Sequence, residues 1–359
     1  MAGKIRIALL FGGRSAEHEV SIKSARNIYN ALDKTKYSVT LIGIDKNGTW
    51  LPYTTPHFLK DIAVTEHAPS PQSILIKQFS SNLRYPLADK EGPFDVVFPV
   101  LHGPYGEDGS IQGLARLLGI PCVGAGVLGS AVGMDKDVSK RLLREQGLPV
   151  VNFLVFQAGD PIRFEQVKKS LDIPFFVKPA NLGSSVGVSK VVNGKQFREA
   201  ISSAFAYDSK ILIEEGIIGR EIECSVLGND NPVASIPGEI IVQHEFYDYK
   251  AKYVDENGAL LSIPAKLTEK QTKKVQDLAV KVFKVLCLDG MARVDFFMDK
   301  QGKLYINEVN TIPGFTDISM YPKLWEASGI SQSELIDRLI ELAIERHHSE
   351  KALTSSHNL

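Results

Sequence analysis

The chain is short of cysteine, short of tryptophan, balanced in charge and without a long apolar run. Each shortage removes a class of protein. Its three cysteines, Cys122, Cys224 and Cys287, are far apart, so they offer neither metal-ligand spacing nor a disulfide framework. That usage fits a reducing compartment, and the cytoplasm is the expected location. Lys and Arg number 41 against 42 Asp and Glu, a formal net charge of −1 with no basic tract. Neither nucleic acid nor an anionic membrane is expected as a partner, and any phosphate ligand must be held by a few placed groups. No segment approaches the ~20 apolar residues of a membrane span. The early run Ala8-Leu9-Leu10-Phe11 passes straight into Gly12-Gly13, which reads as a first strand rather than a signal peptide.

What remains is a chain of 359 residues, 44% hydrophobic, long enough for two or three domains. Strand-like runs at 5–11, 39–45 and 94–100 alternate with helical spacing at 19–32 and 110–118, and 120–123 reads as another short strand. This order predicts an α/β unit with a parallel sheet and ligand chemistry at the carboxyl ends of its strands. The polar stretch 46–93 reads as an insertion with little regular structure. Beyond 125 the order becomes mixed. A helix is expected over 137–146, strands at 151–156, 174–179, 187–192 and 210–215, and a helix at 195–206. A third region has strands at 220–227, 291–298 and 303–309 and helices at 268–286 and 332–346, then a polar, frayed tail. Residues 243–264 lack periodicity yet hold tyrosines and lysines, which argues for a functional loop.

The strongest chemical signal lies at 292–310. Two strand-like runs flank the turn Asp299-Lys-Gln-Gly302 and predict an antiparallel hairpin. Alternation puts Arg293 and Asp295 on one face and Glu308 and Asn310 on the facing one, with the register open by one residue. Two carboxylates and an amide oxygen suit Mg²⁺, with phosphate oxygens completing its shell. An arginine beside them can hold an anion or a developing oxyanion. The segment runs on into Thr311-Ile-Pro-Gly-Phe-Thr316, a loop able to offer backbone N–H donors.

Three further segments carry polar groups after apolar strands. Lys178 ends one strand and is followed by a Gly/Ser loop containing Ser184 and Ser185, then by a returning strand. This is a strand–loop–strand phosphate cradle, and the P-loop pattern is absent. Glu17 follows Gly12-Gly13 just before a helix, where capping is the commoner use of an acid. His102 opens the run Leu101–Gly109, and a lone loop histidine is as often structural as functional. Gly124-Ala-Gly126-Val-Leu-Gly129 imitates a dinucleotide fingerprint but does not follow the first strand. It reads as a domain junction, with Lys136 just beyond it able to reach a phosphate.

Taken together, FGGRSAEHEVS, HGPYGEDG, MDK, VKPANLGSSVG, EEGIIGRE, FYDYKAKY, ARVDFF and NEVNTIPGFT resemble, in this order, the D-alanine–D-alanine ligases of the ATP-grasp superfamily. The resemblance implies an ATP-grasp fold: an N-terminal parallel α/β domain (1–124) plus two α+β lobes enclosing ATP. These are a central lobe with the glycine-rich loop (125–215) and a C-terminal lobe with the metal site and lid (216–346), followed by a disordered tail (347–359). It implies that Lys136 and Lys178 contact the phosphates with the loop of Ser184 and Ser185 closing over them, that Glu214, Glu215 and Ile217 form the adenine hinge, that Glu221 binds ribose, and that Lys252, also counted as ATP-binding, lies with Tyr253 on the mobile loop covering the site. Asp295, Glu308 and Asn310 would hold Mg²⁺, with Mn²⁺ as a substitute and two ions expected. Glu17, Val20 and His102 would hold the first amino acid, and Ser319 and Met320 the second. Arg293 and Gly314 would form the oxyanion site, and Glu17, Ser184 and Tyr253 a hydrogen-bonded trio. The implied partners are ATP and D-alanine, with a homodimer as the assembly. Related ligases that take D-lactate or D-serine second are the alternative; Tyr253 and the uncharged Met320 favour D-alanine.

Overall fold

The computed structural model describes residues 3–53, 94–242 and 259–353. The first sheet is built on β1 (Ile5–Gly12), with β2 (Tyr37–Ile44) and β4 (Val96–Val100) parallel to it on either side and β3 (Trp50–Tyr53) antiparallel on β2. Helices α1 (His18–Ala31) and α2 (Ser110–Leu117) follow β1 and β4. β1 is apolar from Ile7 to Phe11 because both of its faces are buried over that span; Arg6, at its partly exposed start, pairs with Asp95. Ile7, Leu9 and Phe11 enter one core with Ile22, Ala25 and Ile28 of α1, while Ala8 and Leu10 enter another with Ile111 and Ala115 of α2. Fully burying each Leu or Ile contributes about 1.5–3 kcal/mol.

A third sheet runs β5 (Phe153–Gln157), β8 (Lys210–Glu215), β6 (Phe175–Pro179), β7 (Ser189–Val191), all antiparallel, under α5 (Phe164–Leu171) and α6 (Gly194–Phe205). Before it come α3 (Val127–Met134) and α4 (Lys136–Glu145). Asp135 caps α4, its side chain accepting the N–H of Asp137 and Val138. The remaining sheet has six strands. β12 (Ala259–Ser262), β11 (Gly238–Val242), β9 (Gly219–Gly228), β13 (Gly290–Asp299) and β14 (Leu304–Asn310) lie in that order, with β10 (Val233–Ala234) on β9. Its core is shared with α7 (Glu269–Val285), which begins with a full Thr268/Gln271 capping box. Helices α8 (Met320–Ala327) and α9 (Gln332–Lys351) complete the described chain.

Several expectations change. The polar tail was expected to start at 347, but α9 runs on to Lys351. Arg346 anchors that last turn, donating to the carbonyls of Gly124 and Cys122 and pairing with Asp289 and Glu350. The stretch after 45 was read as irregular, yet Asp45 closes a turn by accepting the N–H of Asn47 and Thr49, and β3 follows. Residues 120–123 form a single parallel bridge at Cys122 with Val97, not a strand. The glycines at 124–129 open α3, and Gly124 lets Gly290 approach so closely that a Cβ there would lie 3.2 Å from the Gly124 backbone. The loop read as 243–264 is shorter at its far end, because residues 259–262 pair with β11. Residues 243–258, with Lys252 and Tyr253, lie outside the described residues, as do 1–2, 54–93 and 354–359.

One packing feature positions everything below. Leu335, Ile336, Leu339 and Ile340 of α9 share a core with β1 and α1, and Leu227 and Met291 of the six-stranded sheet join the same core. The first sheet and the six-stranded sheet are thereby fused by apolar packing.

Candidate active site

A cleft of about 110 Å³ lies between these two fused units and the Gly/Ser loop, lined among others by Glu17, Val20, His102, Ser184, Arg293 and Gly314. Its floor is the β13–β14 hairpin. Asp295 faces Glu308 and Arg293 faces Asn310 across it, and a register shift follows at Asp295/Phe296. The two-residue periodicity of both strands therefore turns all four side chains toward one region. The Arg293 fork donates twice to Asp295, at 2.7 Å and 2.7 Å, and approaches Glu223 on β9 at 2.9 Å. Asn310 donates to the same Asp295 carboxylate at 3.1 Å.

The donor set at the hairpin is all oxygen. Among the described residues no group of three or more His, Cys, Asp or Glu could hold a metal ion. Two carboxylates and an amide fit a hard dication only if other oxygens, such as those of a phosphate, complete its shell. A dication there would also compete with Arg293 for Asp295.

Glu17 occupies the N-cap position of α1, yet its side chain makes no capping hydrogen bond. It is half-buried and faces the cleft, close to the Gly/Ser loop: a Cβ on Gly183 would lie 3.6 Å from its Oε2. Capping, the commoner use of an acid there, is not the use seen. Val20, one turn on, is buried and lines the same wall. His102 is buried beneath it, its Nδ1 2.9 Å from the carbonyl of Ile312. A carbonyl only accepts, so Nδ1 carries the proton. Ser319 precedes α8, its Oγ accepting the Thr316 N–H at 2.9 Å, and Met320 is buried with Ile240 and Leu324. Both line the cleft beside Gly314.

The charged residues toward the third sheet form a second group. Lys178, in β6, sits 2.6 Å from Glu214 of β8, and Lys140 of α4 sits 3.2 Å from the other oxygen of the same carboxylate. Lys136 reaches 3.4 Å from Glu308 and donates to the Leu182 carbonyl in the Gly/Ser loop at 2.6 Å, tying that loop to the hairpin. Burial opposes the charge on both Lys178 and Glu214, but their partners win. Lys178 is held above its ordinary pKa by Glu214 and Glu308, and Glu214 below its own by Lys140 and Lys178. For Lys140 burial wins over Glu214 and its pKa falls. The Gly/Ser loop itself holds Ser184 at φ 53° and Ser185 at φ 58°. Such a conformation costs about 1–2 kcal/mol per residue and concentrates at ligand clamps.

The residues expected at the adenine hinge divide. Glu214 is buried in the lysine cluster. The Glu215 carboxylate is spent on Asn152, accepting its N–H at 2.9 Å and its side-chain amide at 2.8 Å. Ile217 is half-buried in the crossing from β8 to β9, and Glu221 lies near enough to Lys178 to raise its pKa.

Three residues escaped the sequence reading. Lys140 lies one turn beyond Lys136 on the same helix face, so spacing could have found it. Glu223 alternates with Glu221 along β9 and faces Asp295 across the sheet. Glu107, buried in the loop after β4, accepts N–H bonds from Gly103 and from Ile312, 205 residues away, and nothing local announces it.

Two family models cover most of the chain: the D-ala D-ala ligase N-terminus over residues 6–125 and the D-ala D-ala ligase C-terminus over 142–341. The chain is 50% identical to the D-alanine–D-alanine ligase of Oceanobacillus iheyensis (98% of this chain, 99% of that one). It is 52% identical to that of Shouchella clausii (98% of each). Among solved structures, the D-alanine–D-alanine ligase of Coxiella burnetii superposes with TM-score 0.82 at 41% identity, covering 98% of this chain and 97% of that one. The D-Ala:D-Ser ligase of Enterococcus faecalis superposes at 0.79 and 34%, covering 95% and 100%. With both halves matched in order over the full cleft, the chain belongs to the D-alanine–D-alanine ligase family.

Proposed function

We propose that the protein joins two D-alanines at the cost of ATP, through an acylphosphate, as a step toward peptidoglycan precursors. The observation that carries this is the single cleft shared by the oxygen-rich hairpin, Arg293 and Glu17. On this reading a carboxylate-activating end and an ammonium-binding end would share one small volume. The three sheets would serve as the substrate domain (1–124), the central lobe (125–215) and the C-terminal lobe (216–346), with α9 returning to the first.

In this reading Glu17 holds the ammonium of the first D-alanine, with Val20 against its methyl and His102 beneath. Its carboxylate oxygen attacks the γ-phosphorus of ATP and ADP leaves. The amine of the second D-alanine, having lost its proton, attacks the acyl carbon. The resulting oxyanion is met by Arg293 and the Gly314 N–H, and the C–N bond stays as phosphate departs. Lys136, Lys178 and the loop of Ser184 and Ser185 would face the phosphates, Lys252 would be a further ATP-binding residue, and Glu214, Glu215, Ile217 and Glu221 would flank the base and ribose. Since the Glu215 carboxylate is bonded to Asn152, its part would be played by its backbone carbonyl. Asp295, Glu308 and Asn310 would hold Mg²⁺, or Mn²⁺ in its place, as two ions. Bound there, the metal neutralises charge on the transferring phosphoryl group. Tyr253 would join Glu17 and Ser184 as the lid closes and excludes water from the acylphosphate.

Met320 and Ser319 would flank the second amino acid. The apolar setting of Met320, against Ile240 and Leu324, favours D-alanine over D-serine. No described helix is long and apolar enough to cross a membrane. The cytoplasm is the proposed location and a homodimer the proposed assembly. The exposed Leu117 and Leu128 on α2 and α3 are the sort of surface such contacts use. Phosphate release from ATP, measured with D-alanine, with L-alanine and with D-alanine plus D-lactate, tests the function. D-alanine alone should support full turnover and L-alanine none.

A further inference from the structure

We propose that Glu107 is a positioning residue that sets the amino-acid site before substrate arrives, by latching the loop after β14 to the loop after β4. The inference rests on the reading of the cleft given above and assigns a task to a side chain that this reading leaves unused.

Both main-chain groups of Ile312 are taken by the loop after β4. Its N–H donates to Glu107 Oε1 at 3.0 Å, and its carbonyl accepts from His102 Nδ1 at 2.9 Å. The other Glu107 oxygen accepts the Gly103 N–H at 2.8 Å, so one carboxylate holds both loops. Glu107 is buried, and burial raises its pKa, with His102 opposing. A buried carboxylate met by two N–H groups is justified by what it holds in place.

What it holds is the backbone next to Gly314. Three residues beyond Ile312, the same loop is tied a second time: Phe315 N–H donates to Ser24 Oγ at 3.0 Å and its carbonyl accepts from Asn27 at 2.9 Å. Ser24 and Asn27 belong to α1, the helix that carries Glu17 at its start and Val20 in its first turn. The span 312–315 is thus clamped at both ends to the unit that carries Glu17, Val20 and His102. Pro313 and Gly314, between the clamps, line the cleft with Arg293. The distance from the ammonium end to the oxyanion end is then fixed by hydrogen bonds and shared core. The third sheet and its Gly/Ser loop take no part in the latch.

The test uses Glu107→Gln in the full-length protein. The glutamine oxygen can accept one N–H, but its amide nitrogen then faces the other donor. Three readouts separate positioning from general damage. First, kcat with D-alanine should fall roughly 10- to 100-fold, the cost of a displaced reacting centre. Second, the KM for ATP should stay within about twofold, since no nucleotide contact changes. Third, amide hydrogen exchange should accelerate in a peptide spanning 311–317 while peptides from β1 and α7 stay protected. Asn27→Ala, which loosens the other clamp from a less buried side, should give the same pattern more weakly and stands in if the Gln variant does not fold. Wild-type kcat in both variants, or unchanged exchange at 311–317, overturns the latch. So does a parallel loss of ATP affinity and exchange protection everywhere. Absence of D-alanine-dependent turnover in the wild type would instead fault the functional reading. Exchange at 311–317 would still decide the latch.

Discussion

Adding one methyl at Gly314 should damage the site through a single neighbour, and removing that neighbour should repair it. A Cβ at Gly314 would stand 2.8 Å from Ser319 Oγ, with its next contacts, Ser319 Cβ and Ser24 Oγ, at 3.7 Å and 3.8 Å. The backbone is not in the left-handed region there, so the methyl brings a clash and no conformational strain. The clash falls on an oxygen that already bonds the Thr316 N–H at 2.9 Å and its hydroxyl at 2.8 Å. Gly314→Ala must therefore move the loop or break those bonds, at about 2 kcal/mol, or roughly thirtyfold in kcat/KM. Ser319→Ala forfeits the same bonds without a clash, at about 1–2 kcal/mol. In the double variant the methyl has no oxygen to meet. Its kcat/KM should match Ser319→Ala alone, a coupling of about 2 kcal/mol in the cycle. The assay is steady-state phosphate release at varied D-alanine. Simple additivity, or a Gly314→Ala enzyme with wild-type activity, would refute the packing argument.

Other outcomes follow from the same geometry. Glu308→Gln should lose more than about 100-fold in kcat while circular dichroism and Tm stay near wild type, because its carboxylate, partly exposed at the hairpin beside Lys136, is proposed to serve the metal. Glu215→Ala should leave the KM for ATP within about twofold and cost about 1 kcal/mol of stability, since that side chain bonds Asn152. Glu214 has a lowered pKa, so its stabilising contribution is complete above the ordinary carboxylate value of 4.5 and is lost progressively as pH falls from there through its lowered value. The Tm difference between wild type and Glu214→Gln should therefore be flat from neutral pH to about 5 and shrink below 4.5.

Legibility in the sequence followed the range of the interactions. β1 was readable because a strand buried on both faces is written as an unbroken apolar run. The β13–β14 hairpin was readable because its turn residues and strand alternation are local, and only its register needed coordinates; Asp295 proved to face Glu308. α9 was cut short in the reading because its last turn is polar. What holds that turn is Arg346 reaching carbonyls more than 200 residues away. β11 and β12 were missed because strands of four or five residues carry little periodicity, and α3 because glycines mask a helix that packs tightly. The site divides in the same way. Glu17, Lys178 and the hairpin acids sit beside their own turn signals. Glu107 draws its meaning from Ile312 and Lys140 from Glu214, pairings that exist only after folding.

The central claim is that a carboxylate of D-alanine takes a phosphoryl group before the peptide bond forms. It is tested most directly by supplying D-alanine labelled with oxygen-18 in its carboxyl group, together with unlabelled ATP, and weighing the phosphate released. An acylphosphate route leaves one labelled oxygen in each phosphate formed, alongside an equal amount of D-alanyl-D-alanine. Unlabelled phosphate accompanying the dipeptide would contradict the account.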